Sequence, residues 1–274
     1  GSPTMAVPPR LRRSAPTLTA QRTVSAVDPL TRMVAESIAD EVLSDLSWVL
    51  STERPDSELS LLLSLSSDHA LTAQISPTLC AVLEAAQRAQ AVSSGWYRPI
   101  RLSRELTGGE IVELDTRTRR LTLPRGTELD LWDIGCARAA DRIMERVQEA
   151  DPFASLAIVV GSSVSAVGAA WEISEALGED LTVLDPALQR GARAFAVLCQ
   201  QTRGVGAEVW DAVAVSADSA VDALAFAGSA EELGRMAPEW LETVGAQAEL
   251  RPSRPGRLFG RRRVRTAGWA AKDM

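Results

Sequence analysis

Histidine, lysine and tyrosine are nearly absent from this chain: its 274 residues hold one of each, His69, Lys272 and Tyr97. A single histidine leaves little room for Ser-His-Asp or Cys-His catalysis, or for a zinc centre of the Cys/His kind, since each would have to use it. His69 follows Ser66, Ser67 and Asp68, a run with the character of a solvated loop. Cysteine is scarce too. Cys80, Cys136 and Cys199 are odd in number and widely spaced, which excludes a disulfide framework and a metal knuckle. A reducing, cytoplasmic setting is therefore expected. No apolar run approaches the ~18 residues of a membrane-spanning helix. Phosphate loops, dinucleotide fingerprints, nucleophile elbows and the kinase signature set are all missing.

What is present describes a globular protein. Hydrophobic residues make up 46% and charged residues 24%, enough apolar matter for a sizeable core and too little charge for wholesale disorder. The net charge of −7 is unevenly spread. Residues 251–274 carry +7 and residues 1–13 carry +3, which leaves −17 on residues 14–250. Such an acidic body repels phosphates and excludes nucleic acid as a partner. The basic tail, 251–274, is expected to be disordered, and is the part suited to contact with a protein partner or an anionic surface. Residues 1–20 read as a disordered lead. Within it, Gly1-Ser2-Pro3-Thr4 before Met5 has the look of an expression scar. One domain is expected over residues 21–250.

Periodicity supplies the elements. Arg22 to Ala26 alternates like a short strand. Asp28-Pro29 announces a helix to about residue 50, with Leu30, Met33, Val34, Ile38, Val42, Leu46 and Val49 as one buried stripe. Ser76-Pro77 caps a second helix, 77–92. Glu110–Leu114 and Arg120–Leu123 read as a hairpin, and Ala137–Ala150 as a helix. Leu156–Val160 reads as a buried strand, with weaker strands at Val164–Ala170 and Leu181–Leu184. Arg193–Cys199 and Glu208–Ser216 are two more. Two helices follow, from Asp218 or Ser219 to about Gly228, and from Ser229 to about Val244. Strands and helices are grouped rather than strictly alternating, so the class is α+β with a mixed or mostly antiparallel sheet.

Five segments, in order, resemble the ApbE-type FAD:protein FMN transferase family. Arg54-Pro-Asp-Ser-Glu-Leu-Ser60 is similar to that family's RPDSELSRLN. Ile75-Ser-Pro-Thr-Leu79 through Ser94-Gly-Trp-Tyr-Arg-Pro99 resembles its VSPEL…TDGAFDPT stretch. Asp130-Leu-Trp-Asp-Ile-Gly-Cys-Ala-Arg-Ala-Ala-Asp-Arg142 lies without gaps on DLGGIAKGYAADR. Val159-Val-Gly-Ser-Ser-Val-Ser-Ala-Val-Gly168 resembles NLGGDVRAVG, and Val221-Asp-Ala-Leu-Ala-Phe-Ala227 resembles ADALATA. The resemblance implies an ApbE-like, T-fold-related α+β architecture with helices flanking the sheet core. It also implies an ancestry of magnesium-dependent enzymes that attach FMN to a Thr or Ser of a flavoprotein.

The departures fall on the chemistry. Trp132 and Asp133 stand where the family has two glycines, which let a backbone approach a ligand closely. Cys136 replaces a lysine. Ser162 replaces a glycine, and Val159 and Ser163 replace Asn and Asp. Val197 stands at the family's His position, Gln200 at an Asp, and Phe226 at the metal-site Thr, leaving Asp222 alone. A hard cation needs several oxygens, and a phenyl ring offers none.

Three expectations follow. In the first, the former flavin cleft binds a different, more apolar small molecule through Trp96, Trp132, Ser162, Ser163 and Phe226. Asp133 and Cys136 are then the candidate catalytic groups, and cyclisation or acid–base chemistry in secondary metabolism is the setting. Asp133 reads equally as a cap near the helix at 137, and Cys136 more readily as a small buried hydrophobe. No cofactor is expected in this case. In the second, the chain is a divergent FMN transferase using FAD and Mg²⁺, with Asp222 the retained metal position. In the third, it is a non-catalytic scaffold.

Overall fold

The computed structural model describes residues 22–102, 111–168, 209–253 and 264–269, and the backbone of 194–199. The segments read as a leading stretch at 1–20 and a strand at Leu181–Leu184 lie outside them, as does Gln200.

Seven strands form one sheet in the order β1-β7-β8-β9-β10-β11-β12, and every neighbouring pair in it is antiparallel. They are β1 (Arg22–Ala26), β7 (Leu156–Val160), β8 (Ser163–Val167), β9 (Ala194–Cys199), β10 (Trp210–Ala217), β11 (Gln247–Pro252) and β12 (Val264–Arg265). Two small sheets stand apart. One joins β2 (Leu71–Gln74), β5 (Arg120–Leu123) and β4 (Glu113–Asp115); the other pairs β3 (Ile100–Arg101) with β6 (Glu128–Leu129).

Helices α1 (Pro29–Leu50), α4 (Trp132–Ala150) and α5 (Ala220–Leu233) pack on the large sheet. Helix α3 (Pro77–Val92) lies against all three of these. Short α2 (Glu58–Leu65) and α6 (Ala237–Thr243) complete the described helices. Alternation in the strands explains the core. Leu156, Ile158 and Val160 share one face of β7 and join Val213, Val215, Leu250 and the helical leucines and alanines in a single apolar cluster.

The first matched segment works as a fastener. Ser57 caps α2 by accepting from the Ser60 amide at 3.1 Å. Glu58 accepts from the Ser76 amide at 2.7 Å and the Ser76 hydroxyl at 2.5 Å. Ser76 is itself the cap of α3, so the starts of α2 and α3 are tied together.

Four details differ from the sequence reading. The stripe on α1 is not buried from end to end: Leu30, Met33 and Val34 are exposed, because Thr31 and Ala35 turn inward there instead. Helix α4 begins at Trp132, more than a turn before 137. Its N-cap residue, Leu131, offers no side-chain acceptor, and Asp133 lies within the first turn rather than capping it. Helix α5 runs through Gly228 and stops at Gly234, whose φ of +55° suits glycine. Within the helix Gly228 leaves room for Tyr97: a Cβ there would lie 2.4 Å from the Tyr97 ring. The C-terminal segment also corrects an expectation. Residues 264–265 pair with β11, Thr266 and Trp269 are buried, and Arg265 Nε donates to the fully buried Glu249 carboxylate at 2.7 Å. That part of 251–274 therefore belongs to the sheet.

Candidate functional site

Three of the matched segments meet along α4: the β7–β8 turn lies at its first turns, and the start of α5 at Asp141 near its middle. The turn has two residues, Gly161 and Ser162, between the paired Val160 and Ser163. Gly161 takes φ +59° while Ser162 stays at negative φ, the pattern of a type II′ hairpin turn. A Cβ on Gly161 would lie 3.5 Å from Cys136 Sγ, so the turn sits directly over the first turns of α4.

Asp141 locks the assembly. Its Oδ1 accepts from Ser165 Oγ at 2.8 Å and from the Ala220 amide at 2.9 Å, and its Oδ2 from the Val221 amide at 3.3 Å. One carboxylate thus joins α4, β8 and the N-terminus of α5, where a negative charge complements the helix dipole. Burial nevertheless pushes its pKa upward, outweighing the bonds from Ala220, Ser165 and Val221 that favour ionisation.

The predicted site residues are distributed around this joint. Trp132 is half-buried and packs against the core, and Asp133 follows it in the first turn of α4. Cys136 is 3% exposed, and its thiol is pushed up to about 12 by burial and, less, by the negative charge of Asp133. It is held as a neutral thiol, an environment that suits a packing group and not a thiolate nucleophile. Ser162 is half-buried in the turn. Ser163 is fully buried, and its hydroxyl has no hydrogen-bond partner among the described residues.

Phe226 packs on Trp240 of α6, with ring centroids 6.0 Å apart. Trp96 remains more than a third exposed in the turn after α3; its neighbour Tyr97 is the residue that reaches α5. His69 is exposed in its loop.

Asp222, where the resemblance implied a metal position, is occupied from within. Arg88 of α3 donates from Nε to Oδ1 at 2.8 Å and from Nη2 to Oδ2 at 2.7 Å. The Ser219 hydroxyl, one turn earlier, accepts the Asp222 amide at 3.1 Å and caps α5. Among the described residues no three His, Cys, Asp or Glu side chains gather as metal ligands. The residues present thus do not fit a divalent cation of the kind the resemblance implies. Nor does the first turn of α4 fit a dinucleotide needing close backbone approach, since Trp132 and Asp133 add side chains at both positions.

Sequence reasoning did not single out Arg88, Tyr97 or Asp141 as organisers of this region. Asp141 stood inside the matched segment 130–142 and could have been found from it. Nothing in the sequence marked Arg88 among the arginines.

No family model and no curated protein matches the chain. Solved structures do. The apo flavinyl transferase ApbE of Pseudomonas stutzeri superposes with a TM-score of 0.70 over 92% of this chain and 93% of its own, at 17% identity. The fold is ApbE-like. The flavin transferase ApbE of Vibrio cholerae gives a TM-score of 0.62 at 14% identity, over 92% of this chain and 95% of that one. The Thermotoga maritima ApbE protein gives 0.66 at 17%, over 89% and 92%. At these identities the likeness is one of architecture. No described helix is long and apolar enough to cross a membrane.

Proposed function

We propose that this ApbE-like chain binds a weakly charged, largely apolar small molecule at the junction of α4, the β7–β8 turn and α5, without ordinary FMN transfer. The observation that carries this reading is the first turn of α4. The opening of the helix carries a half-buried indole at Trp132 and, four residues on, a thiol kept neutral at Cys136, next to a turn bearing only Gly161 and Ser162. None of these groups is cationic, so a pyrophosphate would find no counter-charge from them. An aromatic edge with few polar groups favours an apolar ligand. Asp133 is the group on this turn suited to orienting such a ligand or moving a proton, and Cys136 is left with packing.

The competing reading, a divergent FMN transferase, draws on the fold and on Asp222. One experiment separates them. The purified chain is heated with a panel of neutral aromatic compounds and, separately, with FAD plus Mg²⁺, and FMN transfer to a threonine-bearing acceptor peptide is assayed. The expected result is a rise in Tm with members of the panel and none with FAD. Trp132→Ala should weaken panel binding by roughly 1–3 kcal/mol, the scale of a lost buried aromatic contact. Asp133→Asn should bind near normally and slow any acid–base step. FMN transfer by the unmodified chain would overturn the proposal.

A further inference from the structure

We propose that Arg88 is a built-in cation: its guanidinium stands on the carboxylate where the family resemblance implies a divalent metal, and closes Asp222 to one. This goes beyond the ligand reading above and does not depend on it.

The geometry supports the assignment in three ways. Both carboxylate oxygens of Asp222 are engaged, each by a separate N–H, at 2.8 and 2.7 Å. Such a two-pronged, charge-assisted contact satisfies the carboxylate in its own plane, and is among the stronger polar contacts a protein makes. Exposure is also ordered. The Asp222 side chain is 14% exposed and that of Arg88 is 60%, so the carboxylate lies inside and the guanidinium lies over it. A hydrated cation arriving from solvent meets a positive charge first and must displace it. Finally, the neighbours that would have to complete a shell are otherwise engaged. Ser219 accepts the Asp222 amide, Asp141 accepts the Ala220 and Val221 amides, and Phe226, one turn on, packs on Trp240. Mg²⁺ demands near-octahedral oxygen coordination and sheds water reluctantly, so one contested carboxylate does not hold it.

The consequence is mechanical as well as electrostatic. Arg88 and Asp222 are 134 positions apart in sequence, and their fork pins α3 to the first turn of α5. A bound metal joins such elements only while it is present. A side chain joins them permanently, so the α3–α5 contact should be indifferent to chelators and to divalent ions.

The test combines metal binding with a double-mutant cycle. Mn²⁺ binding is followed by electron paramagnetic resonance, and thermal unfolding is recorded in EDTA, in Mg²⁺, and in NaCl of matched ionic strength. The unmodified chain should bind no Mn²⁺ at micromolar concentrations and show the same Tm in all three buffers. Arg88→Ala and Asp222→Asn should each lower Tm by roughly 2–4 °C. The double variant should be little worse than either single one, because both remove the same contact. Arg88→Lys should recover only part of the loss, since an ammonium cannot make the fork. Mn²⁺ binding that appears only in Arg88→Ala would support the proposal directly. Micromolar Mn²⁺ binding by the unmodified chain that is lost in Asp222→Asn would overturn it. So would strictly additive Tm changes in the cycle.

Discussion

Removing the Asp141 carboxylate tests the joint between α4, β8 and α5 most directly. In Asp141→Ala, the Ala220 and Val221 amides and the Ser165 hydroxyl all lose their acceptor. A buried polar group left unpaired costs about 1–3 kcal/mol. The contributions do not simply add. The Val221 contact is long at 3.3 Å, and Ser219 continues to cap the Asp222 amide. A net loss of roughly 3 kcal/mol is expected, or about 6–12 °C in Tm for a domain of this size. Asp141→Asn keeps an acceptor for Ser165 and Ala220 but turns an N–H towards Val221, and should cost roughly 1–2 kcal/mol at neutral pH.

The pH dependence follows from the raised pKa. Folding makes Asp141 hold its proton more tightly, so its contribution is full below the unfolded carboxylate value of ~3.9 and is lost as pH rises through the folded value. Asparagine is uncharged throughout. The stability gap between the parent and Asp141→Asn should therefore narrow as pH rises from the unfolded carboxylate value of ~3.9 towards neutrality. Urea unfolding followed by circular dichroism across that range measures it. Two results would refute the reasoning: Asp141→Ala within ~0.5 kcal/mol of the parent, or a gap that widens with pH.

Two further outcomes are expected. Because the Cys136 thiol is pushed up to about 12, it should resist iodoacetamide in the native protein at about pH 8 and react only in urea. Mass spectrometry of its peptide reads the labelling, and fast native labelling would contradict the burial. Gly228→Ala and Gly135→Ala form a contrasting pair. The first places a methyl 2.4 Å from the Tyr97 ring; the second places one 2.5 Å from Leu50 Cδ1, the movable end of a leucine. Gly228→Ala should lose roughly 1–3 kcal/mol to overpacking, whereas Gly135→Ala should come closer to neutral as Leu50 shifts and the helix gains from alanine. Equal losses in thermal unfolding would show that ring and leucine yield alike.

Local signals carried much of the fold. Asp28-Pro29 and Ser76-Pro77 mark the starts of α1 and α3 because an acceptor side chain followed by proline is a local device that tertiary packing does not override. The apolar run Leu156–Val160 is strand β7, buried at every position. What escaped depended on contacts distant in sequence. Gly228 reads as a stop from sequence, whereas in the structure it is a glycine inside the helix because Tyr97, in the turn after α3, leaves no room for a Cβ. Strand β12 is two residues long in an arginine-rich stretch, and only its pairing with β11 and the buried Glu249 beneath Arg265 explain it. The fork between Arg88 and Asp222 had no local signature at all, since its two halves lie on different helices.

The matched and altered positions also divide by physical role. Among residues agreeing with the family pattern, Ser57 and Glu58 fasten α2 to α3, Asp141 joins two helices to the sheet, and Gly161 makes the tight turn. Each satisfies backbone groups or a backbone geometry that the architecture requires whatever the ligand. The altered residues stand elsewhere. Trp132, Asp133, Cys136, Ser162 and Ser163 stand in the first turns of α4 and in or beside the β7–β8 turn, where Cys136 is a buried packing group. Asp222 falls between the two groups. It agrees with the pattern, yet its carboxylate is turned to structural use by Arg88. The joints that frame this region are hydrogen bonds to main chain, which fold stability enforces. On the ligand reading proposed above, side chains that face a ligand carry no such obligation and are the ones that can differ without cost to the frame.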